Sequence, residues 1–149
     1  MKSFKFIYSS TYFTILSYLV FFAKRRREQN NDYRVNFIPI KNTINTFLTM
    51  SMTDRFEVYN FYQNLFGNII LFIPFSLILI KALKLSKLRF IILWAVLLST
   101  TIEITQYIFH VGFPDIDDLI LNVTGAVIGF FLYRLFIRLD FTSLLKQAN

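Results

Sequence analysis

The chain contains no cysteine among its 149 residues, and it has one histidine and four glycines. The absence of cysteine excludes disulfides, thiol catalysis and cysteine-ligated metals. No glycine-rich phosphate-binding loop is present. The one histidine, His110, lies about two helical turns from Glu103 and the hydroxyl residues that precede it. This spacing argues against nucleophilic catalysis by a serine–histidine pair.

Charged residues are scarce within four long apolar segments of the chain. These segments account for its high hydrophobic content of 55% and its 19 phenylalanines. About 20 apolar residues span the hydrocarbon core of a bilayer. The sequence therefore predicts an all-α, polytopic membrane protein that forms a single domain over residues 1–149. Its four transmembrane helices are predicted at about residues 4–23, 62–82, 90–110 and 118–138. The first is expected to be retained, since its apolar stretch is long and "KRRR" follows it directly.

The net charge of +7 arises from residues at the ends of these segments and in the loops between them. Juxtamembrane cations usually meet anionic lipid head groups, so we expect membrane lipids rather than nucleic acid as partners. The loop at 81–89 is basic, whereas the loop at 111–118 has three aspartates and no lysine or arginine. This asymmetry favours a multi-pass protein of the cell membrane with both termini in the cytoplasm.

An amphipathic pattern interrupts the long polar connection between the first two segments. Apolar residues recur there at helical spacing, at Ile40, Ile44, Phe47, Leu48 and Met52. Two structures fit this pattern. One is a short helix that lies on the membrane surface, and the other is a loop helix packed on the bundle.

The third segment carries polar residues on one face. Glu103 and Gln106 share that face, which points toward Asp115, Asp117 and Asp118. An ionised acid costs about 2.5–3.5 kcal/mol at the centre of a bilayer. Such a residue is normally turned into the bundle and paired, so we interpret Glu103 and the aspartates as a functional polar site. A helix-capping or packing role is the alternative.

The fourth segment continues this pattern with Asp118, Asn122, Gly125 and Gly129 on one stripe. Asp118 is expected to cap the helix start. The two glycines are expected to pack closely against the helix of Glu103, with Asn122 bonded to Glu103 or Gln106.

In the second segment, Asn64 and Asn68 are expected to face the same polar interior, and Pro74 is expected to bend the helix. The aspartates lack the spacing of a dedicated metal motif. We therefore expect no metal and no cofactor.

Four blocks of this sequence resemble the VanZ-like family of small bacterial membrane proteins. They are "NFIPI" at 36–40, "NIILFIPF" at 68–75, "IEITQ" at 102–106 and "DIDDLILNVTGAVIG" at 115–129. The family motif positions that this chain retains are Asn36, Pro39, Asn68, Pro74, Glu103, Gln106, Asp115, Asp118, Asn122 and Gly125. The chain departs from the pattern at Ile40, at Ser76 and before Asp115, where many relatives carry an arginine.

The resemblance implies a multi-helix protein of the cell envelope that is associated with resistance to the lipoglycopeptide teicoplanin more than to vancomycin. Its partner would be the antibiotic or a lipid-linked cell-wall precursor. An intramembrane enzyme acting on a lipid or a lipid-linked precursor, with Glu103 or Asp117 as acid–base, is the alternative. A small transporter with Glu103 as a proton relay is a third hypothesis. The sequence does not indicate the oligomeric state.

Overall fold

The computed structural model describes residues 2–22, 38–109, 111 and 114–138, and these residues form an all-helical bundle. The helices are α1 (Lys2–Ser17, continued by a π-helical turn at Tyr18–Phe22), α2 (Lys41–Thr49), α3 (Arg55–Leu83), α4 (Leu88–Phe109) and α5 (Ile116–Arg138). The predicted all-α membrane fold is confirmed. His110 and Asn36 lie outside the described residues.

Three of the helices are long and apolar enough to cross a membrane: Arg55–Leu83, Leu88–Phe109 and Ile116–Ile137. The first segment contributes a shorter apolar helix over Phe6–Val20, so its role as a fourth span stays a prediction. α3 starts at Arg55 rather than at residue 62, because Asp54 caps it. The Asp54 side chain accepts hydrogen bonds from the N–H groups of Phe56 at 2.8 Å and Glu57 at 3.4 Å, which satisfies donors that a helix start leaves free.

Short turns make the three long helices antiparallel neighbours. α3 ends at Leu83 and is followed by Lys84, whose φ of 57° is left-handed, and α4 begins at Leu88. A second connection leads from Phe109 to Ile116. The start of α3, the end of α4 and the start of α5 therefore lie at the same end of the bundle.

Close contact between α5 and α3 holds the bundle together. A Cβ atom added at Gly125 would lie 3.0 Å from Ile69 Cα and would collide with the Ile69 carbonyl. At Gly129 it would lie 3.0 Å from Ile73 Cα and would collide with Ser76 Oγ. The predicted close approach at the two glycines is present, but the neighbour is wrong: they pack on α3, not on the helix of Glu103. Helical spacing gives the direction in which a stripe faces and not the helix that meets it.

Apolar side chains fill the bundle between these helices. Phe72, Ile91, Ala126 and Phe130 are at most 3% exposed. α1 joins this core through Tyr12, whose hydroxyl donates to the Leu71 carbonyl at 3.0 Å. Burying large apolar side chains contributes about 1.5–3 kcal/mol each in water. Within a membrane the same contacts act mainly through packing. Pro74 lies inside α3 without ending it, and the predicted bend stays a prediction.

Candidate functional site

Buried polar side chains gather at the end of the bundle where α3 starts, α4 ends and α5 starts. We call this group the polar cluster, and it consists of Asn64, Asn68, Ser99, Glu103, Gln106, Asp115, Asp117, Asp118 and Asn122. Asn64 and Asp115 are half-buried, and the other members are at most 8% exposed. At a rise of about 1.5 Å per residue, the cluster occupies roughly the first 10 Å of α5. It includes all of the predicted polar site residues.

Glu103 of α4 fixes the start of α5. It accepts a hydrogen bond at Oε2 from the backbone N–H of Asp115, at 3.0 Å. Asp115 in turn accepts at Oδ1 from the N–H of Asp117, at 2.9 Å. Asp115 is therefore the N-cap of α5. The prediction that Asp118 caps this helix is wrong, because the helix begins at Ile116 and places Asp118 in its first turn.

Asp117 points away from its own helix and reaches α2. Its carboxylate accepts hydrogen bonds from the N–H groups of Ile40 and Thr43, the latter at 3.1 Å, and from the Thr43 hydroxyl at 2.8 Å. Ile40 precedes α2 with a left-handed φ of 65° and has no side-chain cap of its own. Asp117 supplies the missing acceptor. Since it also lies in the first turn of α5, two helix dipoles stabilise its negative charge.

Asp118 points into the bundle and meets α3. It accepts from the side-chain amide of Asn68 at 2.6 Å and from that of Asn64 at 3.3 Å. The two asparagines lie one helical turn apart, so both present their amides to the same carboxylate. The predicted inward orientation of Asn64 and Asn68 is confirmed. Two amide donors offset part of the cost of placing this carboxylate, which is 5% exposed, inside the bundle.

Asn122 lies deeper and bonds to α4. Its amide donates to Ser99 Oγ at 2.9 Å, and both residues are buried. The prediction of a bond from Asn122 to Glu103 or Gln106 is wrong. Because α4 and α5 run antiparallel, the pair of Glu103 with Asp115 at the bundle end is followed by Ser99 with Asn122 further in.

Gln106 connects the cluster to α1. Its amide donates to the carbonyl of Val20 at 3.1 Å, within the π-helical turn that ends α1. This bond satisfies one of the carbonyls that a helix end leaves free. The Oε1 atom of Gln106 is buried and finds no hydrogen-bond donor among the residues that the structure describes.

The side chains of the cluster therefore link all five helices, α1 to α5, by hydrogen bonds to backbone and side-chain partners. Within the described ranges, no group of three or more histidine, cysteine or acidic residues is arranged to hold a metal ion. The contact of Asp117 with α2 was missed from the sequence, because the two partners are more than 70 residues apart. One local signal was available: the residues before Lys41 offer no serine, threonine, aspartate or asparagine at the N-cap position.

Comparison with known proteins places these motifs in a family. The sequence profile of the VanZ/LLP1 family matches residues 9–137, which include the polar cluster and the glycine stripe. Protein VanZ of Enterococcus faecium is 40% identical over 78 residues, covering 50% of this chain and 46% of that protein. The match thus spans about half the length of that relative. No solved structure matches. Since the profile covers most of the chain and the resemblance found in the sequence is confirmed, the chain belongs to the VanZ/LLP1 family.

Proposed function

We propose that this protein lowers the susceptibility of a bacterium to lipoglycopeptide antibiotics such as teicoplanin by acting at the cell envelope. In this proposal it works through the polar cluster. Membership of the VanZ/LLP1 family supports the first part. The second part depends on one observation: Glu103, Asp117 and Asp118 are each at most 8% exposed at one end of an otherwise apolar bundle.

The position of the cluster supports an action near the membrane surface. The three carboxylates lie at the end of the long helices rather than at their middle. A lipoglycopeptide carries an acyl chain and therefore concentrates at the membrane, whereas a glycopeptide without that chain does not. A membrane protein that acts on the acylated antibiotic, or on the lipid-linked precursor that this antibiotic binds, would thus affect teicoplanin more than a glycopeptide without the acyl chain.

The bonding pattern supports a binding or shielding role over acid–base catalysis. Every described carboxylate of the cluster accepts at least one hydrogen bond from a neighbouring helix or from a helix start. A general base must reach the proton that it removes. Here Asp117 accepts from two backbone N–H groups and a hydroxyl at the start of α2, and Glu103 accepts from the backbone N–H group before α5.

Expression in a susceptible Gram-positive host tests this function. The wild-type protein is expected to raise the minimal inhibitory concentration of teicoplanin more than that of vancomycin, relative to a strain with the empty vector. Gly125→Leu serves as a control, since the collision with Ile69 should prevent correct packing. Unchanged teicoplanin sensitivity, at a membrane abundance shown by immunoblot, would contradict the proposal.

A further inference from the structure

α2 presents three faces that differ in chemistry. Successive residues of a helix are about 100° apart around its axis. Thr43, which bonds to Asp117, faces the bundle, as does the buried Met50 that directly follows α2. Ile44, Phe47 and Leu48 lie on the adjacent side and are 51%, 46% and 73% exposed. The third side carries the exposed polar residues Asn45, Thr46 and Thr49. The apolar and polar faces are therefore nearly opposite, with the bundle between them.

The position of α2 along the bundle coincides with the edge of the apolar region. α3 has 29 residues and is about 43 Å long, which exceeds the roughly 30 Å of a hydrocarbon core. At least one end of α3 must therefore extend beyond that core, and the charge of its first turns favours that end. Those turns include the charged residues Arg55 and Glu57, and α2 immediately precedes them in the chain.

Aromatic side chains continue the apolar face of α2 onto the outer surface of α3. The ring of Phe47 lies 5.7 Å from that of Phe61, which lies 5.3 Å from Tyr62. Tyr62 stacks on Phe66 at 5.9 Å, and both are at least 41% exposed. Tyrosine is enriched in the aromatic belts at membrane–water interfaces, as expected for Tyr62, and the neighbouring phenylalanine rings extend the apolar surface beside it. The outer surface of α3 belongs to a span that is long and apolar enough to face lipid.

We propose that α2 is an interfacial helix that binds the lipid bilayer, with Ile44, Phe47 and Leu48 inserted at the boundary between head groups and acyl chains. Its polar face is turned to water. The Asp117 carboxylate docks the start of α2 on the bundle and thereby sets this orientation. A helix with an apolar face buried about 5–10 Å into this boundary is a common form of membrane attachment. The proposal does not depend on the antibiotic phenotype.

Spin labels at single cysteines test the proposed orientation, and the absence of native cysteine simplifies the experiment. The protein is reconstituted in phosphatidylglycerol–phosphatidylcholine vesicles, and each label is assayed with oxygen, which concentrates in lipid, and with a water-soluble nickel complex. Labels at Ile44 and Leu48 should show a higher ratio of oxygen to nickel accessibility than labels at Asn45 and Thr49. Leu97, which is exposed on α4, is the lipid control, and Lys87 is the water control.

Two results would overturn the proposal. A ratio that is equal on the two faces of α2, or higher at Asn45 and Thr49, would place the apolar face in water. Low accessibility of Ile44 and Leu48 to both reagents would show that protein covers this face, whether from a second copy or from another part of the chain.

The docking role of Asp117 is tested in the same labelled proteins. Asp117→Ala removes the acceptor for α2 and should abolish the difference between its two faces, while the label at Leu97 is unaffected. Thr43→Val removes only the hydroxyl donor and should reduce the difference partly, which keeps the test valid if Asp117→Ala fails to fold. An unchanged difference in both variants would overturn the role of Asp117.

Discussion

At the scale of single residues, the acids of the polar cluster act as acceptors for helix starts and amides. Asp115 caps its own helix, Asp117 caps α2 and Asp118 accepts from Asn64 and Asn68. Each hydrogen bond donated to these carboxylates offsets part of the cost of their charge in an apolar bundle. Together with the bond from the Asp115 N–H to Glu103, these bonds fix the relative positions of α2, α3, α4 and α5.

A double-mutant cycle tests the pairing of Asn122 with Ser99. Combining Asn122→Leu with Ser99→Ala should reveal a coupling energy of about 0.6 kcal/mol, up to about 1.7, as for other hydrogen bonds within membranes. The free energy of unfolding in detergent micelles provides the measurement. Combining Asn122→Leu with Glu103→Gln serves as the control and should show a weaker coupling, since these two residues share the polar cluster but no hydrogen bond. Coupling in the control cycle and none in the first would show that the pairing is wrong.

At the scale of helices, the glycine stripe of α5 sets how closely α5 approaches α3. Gly125 and Gly129 face backbone atoms of Ile69 and Ile73, whereas an added Cβ at Gly67 meets no atom within 4 Å. The chain thus offers two constrained glycines and one unconstrained glycine within the same helix pair. Backbone atoms cannot move aside as a flexible side chain can, so even a methyl group at the two constrained positions forces the helices apart.

Alanine should therefore lower the stability of the bundle at the two constrained glycines but not at the unconstrained one. Gly125→Ala and Gly129→Ala are expected to destabilise the bundle by about 1–3 kcal/mol each through overpacking. Gly67→Ala is expected to be neutral or to stabilise by up to about 1 kcal/mol, since alanine favours the helix. Thermal unfolding in one detergent compares all three variants with wild type. Equal stability of the Gly125 and Gly67 variants would contradict the close contact.

The sequence predicted those features of the helices that depend on local pattern. The apolar segments, the inward faces of Asn64, Asn68 and Glu103 and the close approach at the glycines follow from composition and helical spacing. The partners of Asp117, Asn122 and Gly125 were missed or wrong. These partners depend on how antiparallel helices align and on which neighbour each helix meets. A single sequence contains neither piece of information.

At the scale of the whole molecule, the two connections that flank α4 lie at opposite ends of a helix of 22 residues. If α4 spans the membrane, the basic turn after α3 and the acidic connection before α5 face opposite sides. From the positive-inside rule we expect the basic turn in the cytoplasm, and in that orientation the polar cluster would lie toward the outer surface. Under the proposed function, that is the side from which a lipoglycopeptide would reach the protein.

Single cysteines at Ser86 and Val111 test this orientation. In intact cells, an impermeant thiol reagent should label Val111→Cys and leave Ser86→Cys unlabelled. Both should react after the cells are permeabilised, which controls for thiols that are buried. Labelling of Ser86→Cys alone in intact cells would show that the orientation is the reverse.

Charge-removing variants test whether the polar cluster is needed for the proposed function. Glu103→Gln and Asp118→Asn keep an acceptor oxygen for the Asp115 N–H and for the Asn68 amide but remove the negative charges. Asp54→Asn makes the same change at the exposed cap of α3 and is the matched control.

The measurement is the minimal inhibitory concentration of teicoplanin in strains that express these variants at equal membrane abundance. The double variant Glu103→Gln, Asp118→Asn is expected to lose the protection that the wild type gives, and Asp54→Asn is expected to retain it. Protection by the double variant equal to that of wild type would contradict a working role for the charged cluster and leave its residues as structural contacts between helices.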